Sequence, residues 1–424
     1  MSYRRIGTRP KMALVLAVAL ALAVFVPRLV SSGGRAGSAG AAPALSVRVS
    51  GNHLVDGSGN VLELHGVDRS GTEYACIQGW GIFDGPSDAA SVAAIASWHV
   101  NAVRVPLNED CWLGINGVSS SYGGAAYQQA IVNYVNLLNQ DGMYAILDLH
   151  WSAPGTTAAT GQEPVPDQDH SPAFWASVAN TFKANPAVLF DLFNEPYPDS
   201  NTDNTAAWTC WEDGGSCAGV SFTAAGMQEL VNTVRATGAT NVIMLGGIQY
   251  AGTLDHWATY RPTDPDGQLA ASFHNYNFGG CVTTSCWSSS LAAIGNVPLI
   301  TGELGENDGA ASFIDSYMNW ADANGVSYLA WTWDTWGCGS PISLITNYNG
   351  TACASYGTGY QQHLAALAAS GPPPTTTTTT TTTIAPTTTT SPPRHHRHTG
   401  GLATTNGGSG GTYADDRAAD GIDS

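Results

Sequence analysis

The sequence predicts an α/β fold, a (β/α)8 TIM barrel with a short N-terminal β-hairpin and a disordered C-terminal tail. Within residues 43–370, short runs of β-branched and apolar residues alternate with longer stretches of helical composition. Strands separated by helices pair in parallel, and eight such units close into a barrel. Polar residues gather at the ends of these apolar runs, which is where a barrel of this kind places its functional groups.

Eight apolar runs are predicted as the strands of the barrel. Each has a length typical of a buried strand, and helical segments separate most of them. The eight runs are Val61–Asp68, Asn101–Leu107, Tyr144–Trp151, Ala187–Asn194, Asn241–Gly247, Leu269–Tyr276, Pro298–Gly305 and Ser327–Asp334.

Helices and one hairpin complete the predicted domain. Asp56-Gly57-Ser58-Gly59 is a turn signal within Val47–Leu62, so we expect a small ribbon there, lying across the barrel bottom. The predicted helices are Ala125–Asp141, Ser171–Ala184, Thr223–Thr237 and Ala310–Asn324.

Residues 1–42 have the features of a cleaved signal peptide. Basic residues precede the apolar run Met12–Val26, and Ala39-Gly40-Ala41 offers a cleavage site. A membrane anchor is the alternative, but this run is shorter than the about 20 residues that span a bilayer. We therefore predict a secreted, extracellular protein with no stable membrane association after cleavage.

The eight cysteines agree with an oxidising compartment. An even number of cysteines in an exported protein indicates disulfides. A metal site is the alternative, but the sequence has no C-x-x-C pair, and we predict neither a metal nor an organic cofactor. Close spacing favours three pairs and leaves a fourth by elimination: Cys210–Cys217, Cys281–Cys286, Cys338–Cys353 and Cys76–Cys111.

Residues 371–424 are predicted to be a Pro/Thr-rich linker and a disordered tail, because such tracts cannot bury a core. The whole chain has 15 basic and 33 acidic residues, for a net charge of −18. Without residues 1–42, nine basic residues face the same 33 acidic ones, and the net charge is −24. Nucleic acid and anionic membranes repel so acidic a protein, whereas a neutral glycan is a compatible partner.

The carboxyl ends of the predicted strands are polar, although barrel interiors favour branched apolar side chains. Charged groups buried there destabilise the fold unless they are paired, so unpaired ones indicate a role in catalysis or binding. Glu195 and Glu303 end the fourth and seventh strands and should face each other across the barrel mouth. The other candidates at strand ends are Arg104, His150, Asn194, His274, Tyr276 and Trp331.

Two carboxyl groups about 5–5.5 Å apart define retaining glycosidase chemistry. One carboxylate attacks the anomeric carbon, and the other carboxyl protonates the leaving oxygen and later deprotonates water. Repulsion between the two groups raises the pKa of one of them, which suits the acid.

Asn194-Glu195-Pro196 after an apolar strand, together with Ile300-Thr301-Gly302-Glu303, resembles glycoside hydrolase family 5, the cellulase family. Members of this family carry their catalytic glutamates on strands 4 and 7. The resemblance covers Leu45 to Leu367. It implies that Glu195 is the acid/base and that Glu303 is the nucleophile.

The resemblance also implies how substrate and nucleophile are held. Arg104 would hydrogen-bond the nucleophile, and Asn194 would bind the sugar 2-hydroxyl. His150 matches a sugar-binding histidine. His274 and Tyr276 match the pair on strand 6, in which the tyrosine holds the nucleophile.

The family also stacks a strand-8 tryptophan on the sugar, and Trp331 matches it best, with Trp333 as the second choice. Asp68 is a departure, because relatives commonly have asparagine after the valine of strand 1. Glu109 and Asp110 are interpreted as loop charges, with contact to the substrate as the alternative, and Glu306 is interpreted as a surface charge.

The activity that this pattern favours is that of a cellulase, an endo-β-1,4-glucanase that cuts plant-type polysaccharide or oligosaccharide by double displacement. We expect the enzyme to act as a monomer. Two alternatives remain open: another family 5 β-glycosidase (mannanase, xyloglucanase or galactofuranosidase), and a non-catalytic glycan-binding barrel. A serine esterase is disfavoured, because no Gly-x-Ser-x-Gly elbow precedes a distant histidine.

Overall fold

A computed structural model of the chain describes residues 45–338 and 342–371. The predicted signal peptide lies outside these residues, and so does the predicted tail beyond Gly371. Among the described residues, no helix has the length and apolar character that crossing a membrane requires.

The strands of the described residues belong to four sheets. In chain order they are β1 Val47–Ser50, β2 His53–Asp56, β3 Val61–Leu62, β4 His65–Asp68, β5 Ala102–Asn108, β6 Tyr144–Trp151, β7 Val188–Asp191, β8 Gly214–Ser216, β9 Thr223–Ala225, β10 Ile243–Gly246, β11 Leu269–Tyr276, β12 Leu299–Gly305, β13 Ser327–Ala330, β14 Ile345–Asn347 and β15 Thr351–Ala352.

The helices surround the barrel or lie in the loops above it. In chain order they are α1 Ala89–Ala96, α2 Glu109–Leu113, α3 Ala125–Gln140, α4 Ser171–Phe182, α5 Pro198–Asn201, α6 Thr205–Asp213, α7 Met227–Ala236, α8 Trp257–Tyr260, α9 Thr284–Ala293, α10 Ser312–Asn324 and α11 Tyr356–Ser370.

The closed barrel consists of β4, β5, β6, β7, β10, β11, β12 and β13, and each strand is parallel to its neighbours. The predicted (β/α)8 fold is confirmed, and each predicted run overlaps one barrel strand. The run Val61–Asp68 divides into β3 and β4. At the division, the Asn101 side chain bonds the backbone of Glu63 and His65, so side-chain bonds replace a strand ladder there.

Three of the four predicted helices form with similar bounds, as α3, α4 and α10. The fourth, Thr223–Thr237, begins too early. Thr223–Ala225 pairs instead with Gly214–Ser216 in a small antiparallel sheet, and α7 begins at Met227. The disulfide that closes the loop after Cys210 lies beside this sheet and favours the extended pairing.

An apolar layer fills the lower half of the barrel. Successive residues of a strand point to opposite faces, so alternate residues of each strand point inward. The N-terminal ribbon of β1, β2 and β3 adds Val47 and Leu54 to this layer, as expected for a cover over the barrel bottom. The inward residues from the barrel strands and their approaches are Leu64, Ala102, Tyr144, Ile146, Ala187, Leu189, Val242, Met244, Ala270, Ile300 and Leu329.

Four disulfides form with the predicted pairing. Each one fastens loops that follow the carboxyl ends of barrel strands, which is the mouth side of the barrel. They join Cys76 to Cys111, Cys210 to Cys217, Cys281 to Cys286 and Cys338 to Cys353.

Candidate active site

One buried guanidinium, that of Arg104 on β5, organises the upper half of the barrel. Its Nη1 lies 3.0 Å from Asp68 and 2.8 Å from Glu303. Its Nε lies 3.0 Å from Asp191, and its Nη2 lies 3.1 Å from Asp148. Asp68, where the family commonly has asparagine, is thus a direct partner of Arg104. Four carboxyl groups share a single cation, so the cluster is short of positive charge.

This shortage is visible in the proton affinities of the three aspartates. Burial raises the pKa of Asp191 to about 8 and that of Asp148 to about 7, and Arg104 offsets only part of the effect. Burial also raises the pKa of Asp68, and the charge of Glu303 adds to the rise. The cluster therefore retains protons at pH values where ordinary aspartates have lost them.

A β-bulge in β12 aims Glu303 at the barrel interior. The pairing with β11 shifts by one residue between Thr301 and Glu303, so that Gly302 is the extra residue. Without the shift, alternation from the inward Ile300 would turn Glu303 toward the outer helices. Glycine is needed at 302 because a Cβ there would lie about 3 Å from both His274 Nε2 and the Ser272 hydroxyl.

Two side chains hold the Glu303 carboxyl group, and a third lies beside it. The Tyr276 hydroxyl donates to its Oε2 at 2.5 Å, and Arg104 donates to its Oε1 at 2.8 Å. His274 Nδ1 lies 3.6 Å from Oε2. Burial raises the pKa of Glu303, and the neighbouring Glu195 adds to the rise. The two donors stabilise the ionised form that a nucleophile requires.

Glu195 follows β7 and lies opposite Glu303. One carboxylate oxygen of Glu195, one of Glu303 and a ring nitrogen of His274 all lie within 4.8 Å of one another. His274 Nδ1 lies 2.8 Å from Glu195 Oε1, and burial lowers the pKa of His274 to about 3. The imidazole is therefore neutral at neutral pH. The structure brings the two predicted glutamates into one small gap.

Gln162 is a site residue that the sequence did not indicate. It lies between β6 and α4, where its Nε2 donates to Glu195 Oε2 at 3.0 Å. Its Oε1 accepts from Asn194 Nδ2, also at 3.0 Å. Asn194 in turn accepts from Arg104 at 2.8 Å. No periodic pattern or motif marks Gln162, because it comes from an irregular loop.

His150 and Trp331 form one wall of the site. Their rings stack with centroids 5.4 Å apart and planes 8° from parallel. His150 Nδ1 lies 2.7 Å from Asp148, which fixes the ring. Trp333 was the second choice for a sugar platform, but it is fully buried and packs edge-on against Trp98, so it belongs to the core.

Glu306 is not the surface charge that the sequence suggested. It is buried, and its Oε2 accepts from the backbone N–H groups of Phe313 and Ile314. These N–H groups belong to the first turn of α10, where a carboxylate stabilises the helix. The expectation was wrong because the partner of Glu306 is a helix terminus several residues farther along the chain.

Glu109 and Asp110 were also interpreted as loop charges, and both are fully buried. Glu109 accepts from the Ser171 hydroxyl at 2.7 Å. Asp110 accepts from the Ala159 backbone and from Asn116. Glu109 therefore ties the helix that follows β5 to the start of α4, and Asp110 ties the same helix to the loop between β6 and α4.

Aromatic side chains surround the mouth. Tyr74 lies at their centre, with the rings of Trp80, Trp151 and Trp336 at centroid distances of 6.0–6.2 Å. Trp80 is 48% exposed, so its ring is available to a ligand. Aromatic faces of this kind suit the apolar faces of sugar rings.

Three groups of histidine and carboxylate side chains among the described residues have a geometry that could hold a metal ion. One coincides with the paired glutamates, and none includes a cysteine. The groups are Glu63, His65 and Asp322; Glu109, Asp167 and His170; and Glu195, His274 and Glu303.

A (β/α)8 barrel with two glutamates this close at the carboxyl ends of its strands has the architecture of a glycoside hydrolase. The family model described as cellulase (glycosyl hydrolase family 5) matches residues 55–337. The chain therefore belongs to glycosyl hydrolase family 5.

The two curated relatives described next are identical to this chain at about a quarter of the aligned positions. A mannan endo-1,4-beta-mannosidase from Streptomyces lividans is 25% identical over 358 residues, which are 81% of this chain and 80% of the relative. Endoglucanase 1 from Robillarda sp. (strain Y-20) is 25% identical over 64% of this chain and 73% of its own length.

Solved structures show the same fold. A beta-glucanase from Saccharophagus degradans, in complex with cellotetraose, aligns with a TM-score of 0.59 and 21% identity over 76% of this chain and 94% of that one. A hyperthermophilic endocellulase from Pyrococcus horikoshii aligns with a TM-score of 0.59 and 17% identity, over 76% and 99% of the two chains.

Proposed function

We propose that this family 5 hydrolase is a secreted retaining endo-β-1,4-glucanase with Glu303 as nucleophile and Glu195 as acid/base. The observation that carries the proposal is the gap between the two glutamates, whose nearest ligating oxygens lie within 4.8 Å. Retaining enzymes hold their carboxyl groups about 5–5.5 Å apart, whereas inverting enzymes need about 6.5–9.5 Å to admit a water. The short gap supports double displacement.

In the first step, Glu303 attacks the anomeric carbon while Glu195 protonates the departing oxygen, and the glycosidic bond breaks. In the second step, Glu195 takes a proton from water, which attacks the same carbon and releases Glu303. Arg104 and Tyr276 donate to Glu303 in the resting enzyme and hold its carboxylate for the attack. His150, Asn194 and Trp331 remain our candidates for binding the sugar.

Substrate choice within the family has two candidates. The solved relative with cellotetraose supports a β-1,4-glucan, and the aromatic mouth around Tyr74 agrees with a polymer substrate. The Streptomyces mannosidase, which matches 81% of this chain, favours β-1,4-mannan as the second candidate. The expected glucanase should hydrolyse carboxymethyl cellulose faster than β-1,4-mannan, and the opposite preference would replace glucan by mannan in the proposal.

Trapping experiments test the two roles. With an aryl glycoside bearing an activated leaving group, Glu303→Gly should recover activity with azide and give the glycosyl azide of inverted configuration. Glu195→Ala with azide should give the retained configuration, because the nucleophile is still present. NMR of the products of the wild-type enzyme should show the retained anomer first. An inverted first product would overturn the mechanism.

We also propose export with removal of residues 1–42, a catalytic domain of residues 43–370 and a dispensable tail from 371. The four disulfides support an oxidising compartment. Mass spectrometry of protein from the culture medium tests the cleavage site. Protein that keeps its N-terminus and stays with the membrane would refute it.

A further inference from the structure

A directed chain of hydrogen bonds runs from Arg104 to Glu195. Arg104 Nη2 donates to Asn194 Oδ1 at 2.8 Å. Asn194 Nδ2 donates to Gln162 Oε1 at 3.0 Å, and Gln162 Nε2 donates to Glu195 Oε2 at 3.0 Å. The other terminal nitrogen of Arg104 donates directly to Glu303. One guanidinium therefore contacts one glutamate directly and the other through two amides.

The direction of this chain follows from chemistry. A guanidinium has donors only, so the Asn194 amide must turn its oxygen toward Arg104 and its NH2 group toward Gln162. The Gln162 amide must then turn its oxygen toward Asn194. Its NH2 group is left to face Glu195. Arg104 thus dictates that Gln162 acts as a donor to the second glutamate.

Contacts outside the strands hold Gln162 in place. The Tyr197 hydroxyl donates to the Gln162 backbone oxygen at 3.3 Å. Three residues earlier, the Ala159 backbone donates to Asp110 and accepts from Asn108, both fully buried. The loop between β6 and α4 is therefore fastened at Gln162 itself and three residues before it.

We propose that Gln162 is a positioning residue that orients the Glu195 carboxyl group and sets the pH at which this group gives up its proton. The proposal rests on the acid/base role proposed for Glu195. A donor to a carboxylate stabilises the charged form. Glu195 also faces His274, whose Nδ1 lies 2.8 Å from its Oε1, and the nearby carboxyl group of Glu303. Without the Gln162 donor, less positive potential would offset the negative charge of Glu303. Glu195 would then keep its proton to higher pH and be aimed less well at the leaving oxygen.

The test compares two leaving groups in the full-length enzyme. 2,4-Dinitrophenyl β-cellobioside needs no protonation of its leaving oxygen, whereas phenyl β-cellobioside does. The corresponding β-mannobiosides replace them if the wild type prefers mannan. For Gln162→Ala we expect kcat/KM to stay within about threefold of wild type with the first substrate. We expect it to fall about 10- to 100-fold with the second, a fraction of what general acid catalysis contributes.

The pH profile supplies a second readout. Without the Gln162 donor, Glu195 should stay protonated to higher pH. The alkaline limb of the pH profile of kcat/KM for the phenyl substrate should therefore shift to higher pH in Gln162→Ala. It should move further in Gln162→Glu, which places a second carboxyl group against Glu195 with little change in volume. A purely structural role would lower the rate without moving this limb.

Gln168→Ala is the matched control. Gln168 lies in the same loop, is exposed, and donates to Glu229 away from the site. It should leave both substrates and the pH profile unchanged. Melting temperatures of all variants show whether they fold.

Two outcomes would overturn the proposal: equal losses on both leaving groups with an unmoved alkaline limb, or no loss at all in folded Gln162→Ala. A separate experiment tells whether the proposed function itself, rather than the role of Gln162, is wrong. If Glu195→Ala keeps full activity on the phenyl substrate, the acid/base role of Glu195 is wrong, whatever Gln162 does.

Discussion

The mouth and the bottom of the barrel each contain an arginine bound by carboxylates, Arg104 fully buried and Arg235 partly buried, and the two have contrasting surroundings. At the mouth, Arg104 meets four carboxyl groups. On the bottom side, Arg235 binds Asp264 through two parallel contacts of 2.7 and 3.0 Å. Arg235 also donates to the backbone just before β10. Burial alone would raise the pKa of Asp264, but the contacts with Arg235 and the backbone N–H groups of Gln268 and Asp266 together lower it.

This difference separates stability from function. The bidentate pair between Arg235 and Asp264, with Asp266 as a further partner 3.4 Å from Arg235 Nε, favours the folded state because the arginine charge is satisfied. A cluster with excess carboxyl groups must keep protons or remain repulsive, and both cost stability. The mouth contains this destabilising cluster because acid–base and nucleophilic chemistry need carboxyl groups close together. The bottom, which is built from an apolar layer, carries no such requirement.

The largest expected effect is on activity at the mouth. Glu303→Gln and Glu195→Gln should each lower kcat/KM by at least about 10³-fold, since acid–base catalysis alone contributes about 10²–10⁴. The fold should persist, because glutamine keeps the volume and removes a crowded charge. Steady-state kinetics and circular dichroism check both points. Glu63→Gln at the barrel bottom is the control, and a comparable loss there would erase the contrast between the two regions.

The next effect is on stability. Arg104→Leu leaves buried carboxyl groups without their cation and should cost about 3–5 kcal/mol of unfolding free energy at pH 7. Arg235→Leu removes charged hydrogen bonds from a less crowded site and should cost about 2 kcal/mol. Urea unfolding measures both values. A larger loss in Arg235→Leu would show that the bottom pair, and not the mouth cluster, is the more sensitive network.

The disulfides sharpen the contrast further, because all four fasten mouth loops. Cys76 and Cys111 are separated by 35 residues, and replacing both with alanine should cost about 4 kcal/mol by the loop-entropy relation. Cys281 and Cys286 are separated by 5 residues, and the same replacement should cost about 2 kcal/mol. Denaturation of the two double variants compares them. Equal losses would contradict the dependence on loop length.

The smallest expected effect, counted per unit of pH, is a slope of stability against pH. Asp191 has a folded pKa of about 8, above its ordinary value of 3.8, so the folded state binds the extra proton between these limits. Stability should therefore fall as pH rises from about 4 to about 8, by at most about 1.4 kcal/mol per pH unit for one proton. In Asp191→Asn this decline should be shallower.

Asp264 should act in the opposite direction at the bottom. Its folded pKa is lowered, so it stabilises the protein above its ordinary pKa, and this contribution is lost as pH falls through the folded value. Asp264→Asn should therefore flatten the acid limb and leave the slope above pH 4 intact. Unfolding measured from pH 3 to pH 9 checks both variants. The same slope above pH 4 in wild type and Asp191→Asn would refute the account of the mouth.

The sequence predicted the barrel well, because each of its eight strands lies in an apolar run that can be recognised from the local sequence pattern. It also indicated most polar side chains that meet at the mouth, since strand ends in this fold converge. It failed where partners come from distant or irregular segments. Glu306 and Glu109 looked like surface charges because nothing near them in the chain shows the helix terminus or the Ser171 hydroxyl that they bind. Gln162 had no visible signal, since its role depends on a loop path that no periodicity defines.

The bulge at Gly302 matters to anyone who would graft this active site onto another barrel. Copying the glutamate alone onto a regular strand would send its side chain outward among the helices, because alternation decides the face. The recipient strand must also gain one residue, and that residue must be small enough to pass the neighbouring histidine and serine. An insertion in the backbone, as much as the choice of side chain, is thus part of what must be transplanted.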